Sequence, residues 1–199
     1  MQDHHILRKT ILVSIMFTFF FPLLAFAETW TIDPDHSAGH FSIQHLMISQ
    51  VRGMFAGVQG AIVFDGKQPK SIYVRIDVNR VDTGVVKRDE HLKTADFFDA
   101  ATHPQMTFVS KRIEPATGGY AATGTLTIRG VSREVTIPVR GLNRDVVDPW
   151  KQTRRGATAH FTINRQDYKV AWNAPLGKDG VAVGNDVDII VDLEVLKPE

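Results

Sequence analysis

Three histidines lie close together near the start of the predicted domain, at His36, His40 and His45. Imidazole nitrogens bind zinc and copper, so this cluster is the first candidate for chemistry. On an extended strand, His36 and His40 would share one face and His45 would lie on the other. No third ligand follows at a readable spacing, and no metalloprotease motif occurs. We therefore expect no metal site, and we expect His36 and Ser37 to hydrogen-bond in the turn after Pro34.

A second group of reactive side chains, Arg88, Asp89 and His91, lies in a segment of helix-forming composition. Arg88 and His91 are three residues apart and would share a helix face. A histidine with a carboxylate nearby could perform general acid–base catalysis. A charged run of this kind is more often the solvated face of a helix. Both interpretations stay open from the residues alone.

The residue content excludes several other kinds of chemistry. The sequence has no cysteine, which excludes disulfides, thiolate metal sites and a cysteine nucleophile. Ser37, Ser42 and Ser110 lack the context of a nucleophile elbow. No glycine-rich phosphate loop or dinucleotide fingerprint occurs. We therefore assign no catalytic residue and expect no cofactor.

The first 27 residues have the features of a cleavable secretory signal peptide. Arg8-Lys9 forms a positive flank, an apolar run follows at 11–24, and Ala25-Phe26-Ala27 provides a small-x-small cleavage pattern. The run is shorter than the roughly 20 residues that a spanning helix needs, so an uncleaved anchor is the weaker alternative. We expect residues 1–27 to be removed and residues 28–199 to form a single exported domain.

The charge balance of the expected mature domain argues against a nucleic-acid partner. The full sequence has 23 basic and 22 acidic residues, and loss of Asp3, Arg8 and Lys9 with the signal peptide leaves 21 of each. A domain without net charge offers no electrostatic attraction for a polyanion or an anionic membrane surface. Since no cysteine could carry a lipid, we also expect no stable membrane anchor.

Most of the remaining sequence alternates between apolar and polar residues, as strands with one dry and one wet face do. We predict about eight strands, centred near residues 40, 58, 75, 107, 124, 137, 160 and 190. A short helix at 85–95 would lie between the third and fourth strands. Alternation of this kind is typical of antiparallel sheets. Eight such strands can close into a barrel whose interior is filled by side chains or holds one small ligand.

Turn residues separate the predicted strands. The predicted hairpin turns are Asp65-Gly66, Thr117-Gly118-Gly119 and Arg129-Gly130. We also predict a short helical turn at 46–51. Three glycines within one strand, Gly53, Gly57 and Gly60, predict the strong bend that a closing barrel needs. The prediction is therefore an all-β barrel, with a two-sheet sandwich as the alternative architecture.

Short motifs follow one another along the predicted domain in a fixed order. They are Trp30-Thr31-Ile32-Asp33 with His36-Ser37, Phe41 and His45; Arg52-Gly53-Met54-Phe55 with Gly60; Arg88-Asp89-Glu90-His91-Leu92; Asp96-Phe97-Phe98-Asp99; His103-Pro104 with Thr107-Phe108; the run 124–131; and Ile163-Asn164-Arg165. In their order and spacing these motifs resemble the YceI-like family of bacterial periplasmic proteins. One departure is visible, because Asp167-Tyr168-Lys169 stands where the family pattern has Asp-Phe-Gly.

The resemblance implies a lipocalin-like, eight-stranded antiparallel barrel around an apolar tunnel in a periplasmic protein. It implies a carrier that sequesters a polyisoprenoid or a similar long-chain amphiphilic lipid, and an isoprenoid quinone would be a ligand of the same kind. No enzymatic activity is implied, and a homodimer is suggested. Two alternatives stay open: an enzyme that acts on an isoprenoid-like substrate with Asp89 and His91, and a structural or stress-related module with a filled barrel.

Given that resemblance, the helical insertion would cap the barrel mouth. Arg88 and Asp89 would then meet the ligand's quinone, hydroxyl or phosphate head group, and other inward side chains would line its tail. The predicted ligand-binding residues are Phe41, Phe55, Ile76, Arg88, Asp89, Leu92, Phe97, Phe98, Phe108, Leu126 and Phe161.

Overall fold

The structure, a computed structural model, describes residues 27–178 and 180–198. The expected signal peptide lies outside the described residues except for Ala27, so its cleavage stays a prediction. The strands are β1 (Glu28–Ile32), β2 (Ala38–His45), β3 (Ser49–Ala56), β4 (Gln59–Asp65), β5 (Gln68–Asp77), β6 (Val81–Asp82), β7 (Gln105–Ala116), β8 (Gly119–Ile128), β9 (Val131–Gly141), β10 (Val146–Val147), β11 (Thr153–Asn164), β12 (Pro175–Leu176), β13 (Gly180–Val181) and β14 (Val183–Leu196). The helix α1 spans Val86–Lys93, and two short 3₁₀ turns lie at Val78–Arg80 and Arg165–Tyr168.

Eight strand positions close into one antiparallel barrel, as the alternation and the resemblance predicted. The first three positions each consist of two segments, because β1 continues into β2, β3 into β4 and β5 into β6. Each position pairs with the next one along the chain. The long strand β14 pairs with β11 on one side and with β1 and β2 on the other, which closes the ring. The eight predicted strand centres fall in these positions, and α1 lies between the third and the fourth.

Glycines make the bend that separates β3 from β4. Gly57 has a φ of +70°, a conformation that residues with a side chain rarely adopt. Gly60, with a φ of +143°, lies against the backbone carbonyl of Tyr73 on β5, so a side chain at this position would collide with it. The bend predicted from the glycines of this strand is confirmed.

The loop between β2 and β3 differs from its prediction. The three predicted hairpin turns are confirmed, but the predicted helical turn at 46–51 is wrong. Leu46 and Met47 have φ values of 50° and 62°, and β3 already begins at Ser49, where it pairs back onto His45. A tight hairpin turn needs such left-handed residues to match the twist of its strands, whatever their helix propensity.

One end of the barrel is sealed by aromatic side chains. Trp30 and Phe64 are fully buried, and their rings meet edge to face with centroids 5.3 Å apart. The guanidinium of Arg155 lies 4.2 Å from one ring centroid and 4.3 Å from the other, a favourable cation–π arrangement. Asp145 accepts a hydrogen bond from the same guanidinium at 2.6 Å. Among the described residues, these contacts pack the barrel interior at what we call the sealed end.

The opposite end is covered by α1 and by the segment between β11 and β14. An eight-residue helix is not stable on its own, and α1 is held by Leu92, which packs on the core. Asp89 adds to this by accepting hydrogen bonds from the backbone N–H and the hydroxyl of Thr83. Among the described residues, no helix has the length and apolar character needed to cross a membrane.

Candidate functional site

An internal cavity of about 360 Å³ occupies the barrel, within the range of small-molecule sites. Along β14 its lining extends from Val183 to Leu193, which is roughly 33 Å of strand at about 3.3 Å per residue. With a strand tilt of about 40°, the cavity would be roughly 25 Å deep. The interior is therefore hollow over much of its length, and the filled-core alternative does not describe it.

The cavity exists because several inward positions carry small residues. Gly39 on β2 and Ala157 and Ala159 on β11 line it, where larger side chains would fill the space. Aromatic rings line the part nearer to α1. The ring centroids of Phe41 and Phe55 are 5.7 Å apart, and Phe55 meets Phe98 edge to face at the same distance. The lining is apolar over most of its surface.

Ten of the eleven predicted ligand-binding residues line this cavity. They are Phe41, Phe55, Ile76, Arg88, Leu92, Phe97, Phe98, Phe108, Leu126 and Phe161. Asp89 does not line it, because its carboxylate accepts hydrogen bonds from Thr83 instead. The structure thus brings the ten together around one space, and their contact with a ligand stays a prediction.

Arg88 is the cationic side chain at the α1 end of the cavity that keeps a donor free. Its Nε donates to the hydroxyl of Thr83 at 2.7 Å and its Nη2 to the carbonyl of Thr83 at 2.8 Å. Asp89 accepts hydrogen bonds from the same threonine, so Thr83 links the Asp89 carboxylate to the Arg88 guanidinium and fixes the position of the guanidinium. Within the described part of the chain, Nη1 of Arg88 has no hydrogen-bond partner.

His91 also lines the cavity but has partners other than Asp89. Its Nε2 lies 2.9 Å from Oδ2 of Asp96. The ring stands edge-on to Phe97 and Trp172, with centroids 5.0 and 5.3 Å away. The pair Asp89 and His91 that the enzyme alternative requires is therefore not assembled, because each side chain is bonded to a different residue.

Arg165 fastens the segment that covers the α1 end. It is 4% exposed, and its N–H groups donate to the carbonyls of Val170, Gly184 and Trp172 at 2.6, 2.7 and 2.8 Å. Burial lowers the pKa of Arg165, and none of the described carboxylates forms an ion pair with it. The guanidinium satisfies backbone carbonyls that have no strand partner. Its donors are therefore used to hold this segment in place and not to bind a ligand.

Tyr168 lies in the cavity wall at the position where the family pattern has phenylalanine. The side chain is 2% exposed and lines the cavity. Burial raises the pKa of Tyr168, so the phenol stays protonated. Its hydroxyl makes no hydrogen bond to any other residue in the ranges 27–178 and 180–198.

Among the cavity-lining residues that were not predicted from the sequence, four share one segment of the chain. They are Arg165, Tyr168, Val170 and Trp172. All four lie after β11 in a stretch without regular strand pairing, so alternation gave no signal for their direction. The only signals were the Asn164-Arg165 motif and the departure at Tyr168-Lys169.

The histidines at positions 36, 40 and 45 do not come together. The side chain of His40 is exposed on one face of β2, whereas His45 is half-buried on the opposite, inward face with Phe41. His36 bonds Asp33 through Nδ1 at 2.8 Å, and the hydroxyl of Ser37 accepts from the backbone N–H of residue 194 at 3.0 Å. The local hydrogen bond expected for His36 is confirmed, whereas Ser37 bonds the distant strand β14 and not the turn.

A cluster of acidic groups near His36 is neutralised by an arginine. Asp33, His36 and Glu194 place potential ligand atoms within 4.8 Å of one another. Nη1 of Arg154 lies among them, 2.5 Å from Asp33 and 3.1 Å from Glu194, and its Nε is 2.7 Å from Asp148. The guanidinium thus supplies the positive charge at this cluster, which we call the Arg154 clasp.

The clasp shifts the protonation of its members. Burial alone would raise the pKa of Asp33, but hydrogen bonds from Arg154 and His36 outweigh burial and hold that pKa below its ordinary value. The hydrogen bond to Asp33 raises the pKa of His36. Because the clasp joins the ends of β1, β11 and β14, these charges bear on barrel closure rather than on the cavity.

Comparison with known proteins gives one family over nearly the whole described chain. The family model of the YceI-like domain matches residues 30–195. Protein YceI of Escherichia coli O157:H7 is 33% identical to this chain over 85% of its length and 87% of that protein.

Solved structures have the same fold. BcnA of Burkholderia cenocepacia is 29% identical, covers 82% of this chain and 98% of its own, and superimposes with a TM-score of 0.69. A second structure is a polyisoprenoid binding domain from Saccharophagus degradans, described as implicated in plant cell wall breakdown. The match covers 85% of this chain and 98% of that domain, with a TM-score of 0.63. At 17% identity, the latter supports the fold alone.

Proposed function

The chain belongs to the YceI-like family, and we propose that it is a periplasmic carrier that sequesters a polyisoprenoid or a similar long-chain amphiphilic lipid in its barrel. The observation that carries this proposal is the deep apolar cavity, which lies between the buried Trp30 and Phe64 at one end of the barrel and α1 at the other. A structural neighbour described as a polyisoprenoid binding domain has the same fold, which makes this class of ligand the first to test.

The physical balance favours a long apolar chain. Each methylene-sized group moved from water into the cavity contributes about 0.8 kcal/mol, so ten groups contribute about 8 kcal/mol. Ordering the chain and losing its free translation oppose this gain. A lining with few polar groups would hold such a tail without discriminating strongly between chains of similar width.

The head group would lie at the α1 end. Nη1 of Arg88 is a free charged donor there, and Tyr168, whose burial keeps the phenol protonated, lines the same cavity. A phosphate, a hydroxyl or a quinone carbonyl would each accept from the Arg88 donor. The periplasmic address rests on the signal peptide expected at residues 1–27, and it would explain why an apolar lipid needs a container between two membranes.

The proposal is tested by replacing a small cavity-lining residue with a large one. Ala159→Phe places a ring where β11 faces the interior, whereas Thr158→Phe places the same ring on the exposed outer face one residue away. Both variants and the original protein are stripped of lipid and mixed with a long polyprenol such as solanesol, and the bound fraction is read by native mass spectrometry. We expect at least a tenfold loss for Ala159→Phe and none for Thr158→Phe.

Stability measurements on the same variants separate a hollow barrel from a filled one. Overpacking a filled core costs about 1–3 kcal/mol, but a ring that enters empty space should leave the free energy of unfolding of the lipid-free protein unchanged or higher. A polyprenol affinity that is the same in both variants, or a failure of the original protein to bind, would contradict the proposal.

A further inference from the structure

Large apolar side chains are exposed in three separate loops at the α1 end of the barrel. In the β2–β3 turn, Met47 is 56% and Ile48 is 85% exposed. At the start of α1, Val85 and Val86 are 47% and 77% exposed, and Val181 on β13 is 42% exposed. Single exposed apolar residues are ordinary on protein surfaces, but several of them grouped at one end of a molecule are not.

The three loops belong to one end of the molecule. The backbone N–H of Leu46 donates to the carbonyl of Ala182 at 2.8 Å, which joins the β2–β3 turn to the β13 hairpin. A Cβ at Gly180 would lie 3.3 Å from Sδ of Met47. The helix that follows Val86 covers this same end. We call these exposed residues, Leu46–Ile48, Val85, Val86 and Val181, the apolar rim.

Residues next to each of the three rim loops line the cavity. His45, which precedes the β2–β3 turn, and Val183, which follows β13, both line the cavity, as does Arg88 two residues after Val86. The opposite end is closed by Trp30 and by Arg155 above it. A ligand with a long tail would therefore enter and leave between the rim loops.

We propose that the apolar rim docks reversibly on a lipid bilayer, so that a tail passes between the membrane and the cavity without crossing water. This inference rests on the proposed function, because it assigns a source to the proposed lipid. Separate loop tips bearing Ile48 and Val86 are suited to insertion among lipid head groups and acyl chains.

The charges beside the rim fit a bilayer surface better than an apolar protein partner. Lys87 follows Val86 directly, and Arg52 is exposed on β3 close to the β2–β3 turn. Neither forms an ion pair with a residue that the structure describes. Basic side chains of this kind keep their heads at the phosphate level while the apolar neighbours insert. Because the mature domain carries no net charge overall, docking is local and reversible.

The test measures binding to lipid vesicles by flotation. It compares variants in which exposed apolar residues at one end of the barrel or the other are replaced by serine. The double variant Ile48→Ser/Val86→Ser removes the two most exposed rim side chains. The control, Trp150→Ser, removes a side chain that is 82% exposed in the loop before β11, near the Arg154 clasp and away from the rim. Vesicles of phosphatidylglycerol and phosphatidylethanolamine, with and without solanesol, serve as the bilayer.

We expect the original protein and Trp150→Ser to float with the vesicles. The double variant should bind the vesicles at least tenfold more weakly, and it should take up solanesol from them at least tenfold more slowly. Solanesol added from ethanol should bind to all three proteins equally. Equal flotation of the double variant, or no flotation of the original protein, would overturn docking. Failure to bind solanesol from ethanol would instead overturn the proposed function, so the two failures can be told apart.

Discussion

Arg88 is the side chain best placed to select the head group of the proposed ligand. Thr83 holds its Nε and Nη2, and Asp89 holds Thr83 in turn, so the remaining Nη1 is fixed at the cavity's α1 end. A hydrogen bond between charged partners contributes about 1.5–3 kcal/mol, which corresponds to roughly tenfold to a hundredfold in affinity.

The predicted consequence is a change in head-group selectivity in Arg88→Gln. We expect this variant to bind a polyprenyl phosphate at least tenfold more weakly while its affinity for squalene, which has no head group, is unchanged. Lys87→Gln makes the same change in charge one residue away on the exposed side of α1 and should bind both lipids as the original protein does. Equal weakening of phosphate binding in the two variants would refute a specific contact by Arg88.

Individual site residues could be predicted where the backbone is regular. Alternation along strands placed Phe108 and Phe161 correctly on the inner face, because successive strand residues point to opposite faces. Asp89 was grouped with Arg88 because the two are adjacent in a motif. Adjacent residues on a helix point about 100° apart, so when Arg88 faces the cavity its neighbour turns toward Thr83.

At the scale of elements, the Arg154 clasp joins three strand ends that must meet for the barrel to close. The pKa of Asp33 is lowered, so its contribution to stability is present above the ordinary carboxyl pKa of 3.8 and is lost as the pH falls through the lower folded value. The pKa of His36 is raised, so its contribution is complete below 6.5 and is lost as the pH rises through the higher folded value.

We therefore predict that the free energy of unfolding has a maximum between about pH 4 and pH 6.5, the ordinary pKa values of the two groups. Urea unfolding across pH measures this directly. In His36→Gln the decline that begins above 6.5 should be smaller, while the decline at acid pH persists through Asp33. His160→Gln, which removes an exposed histidine bonded to Asp188 on the outer wall, is the matched control. A decline above pH 6.5 that is identical in His36→Gln and the original protein would contradict the role of His36 in the clasp.

Elements were predictable from the sequence when their signal was local. All eight strand positions followed from periodicity, α1 followed from its helix-forming composition, and Gly57 and Gly60 marked the bend. The β2–β3 turn was mistaken for helix because left-handed φ values at Leu46 and Met47 are imposed by the pairing of two strands, which residue propensity does not record. The conformation of the segment after β11 could not be predicted for a related reason. Arg165 holds it through backbone carbonyls, which every residue has, so no residue type marks the contact.

At the scale of the whole molecule, the hollow interior is the property on which the proposed function depends. Periodicity shows which residues face inward, but it does not show whether their summed volume fills the barrel. That depends on small residues at particular inward sites, such as Gly39, Ala157 and Ala159, and on strand tilt, which sets the barrel's width. The family resemblance, rather than the residue pattern, favoured the hollow interior, and the cavity in the structure agrees with it.

The most direct test of the account is the mass of the protein isolated from cells that export it. Native mass spectrometry of the gently purified protein should show the mature chain with one long-chain lipid bound. Solvent extraction should then release that lipid and leave the bare chain mass. Isolated protein that carries no lipid, and that also fails to take up solanesol or a polyprenyl phosphate when either is supplied, would contradict the account.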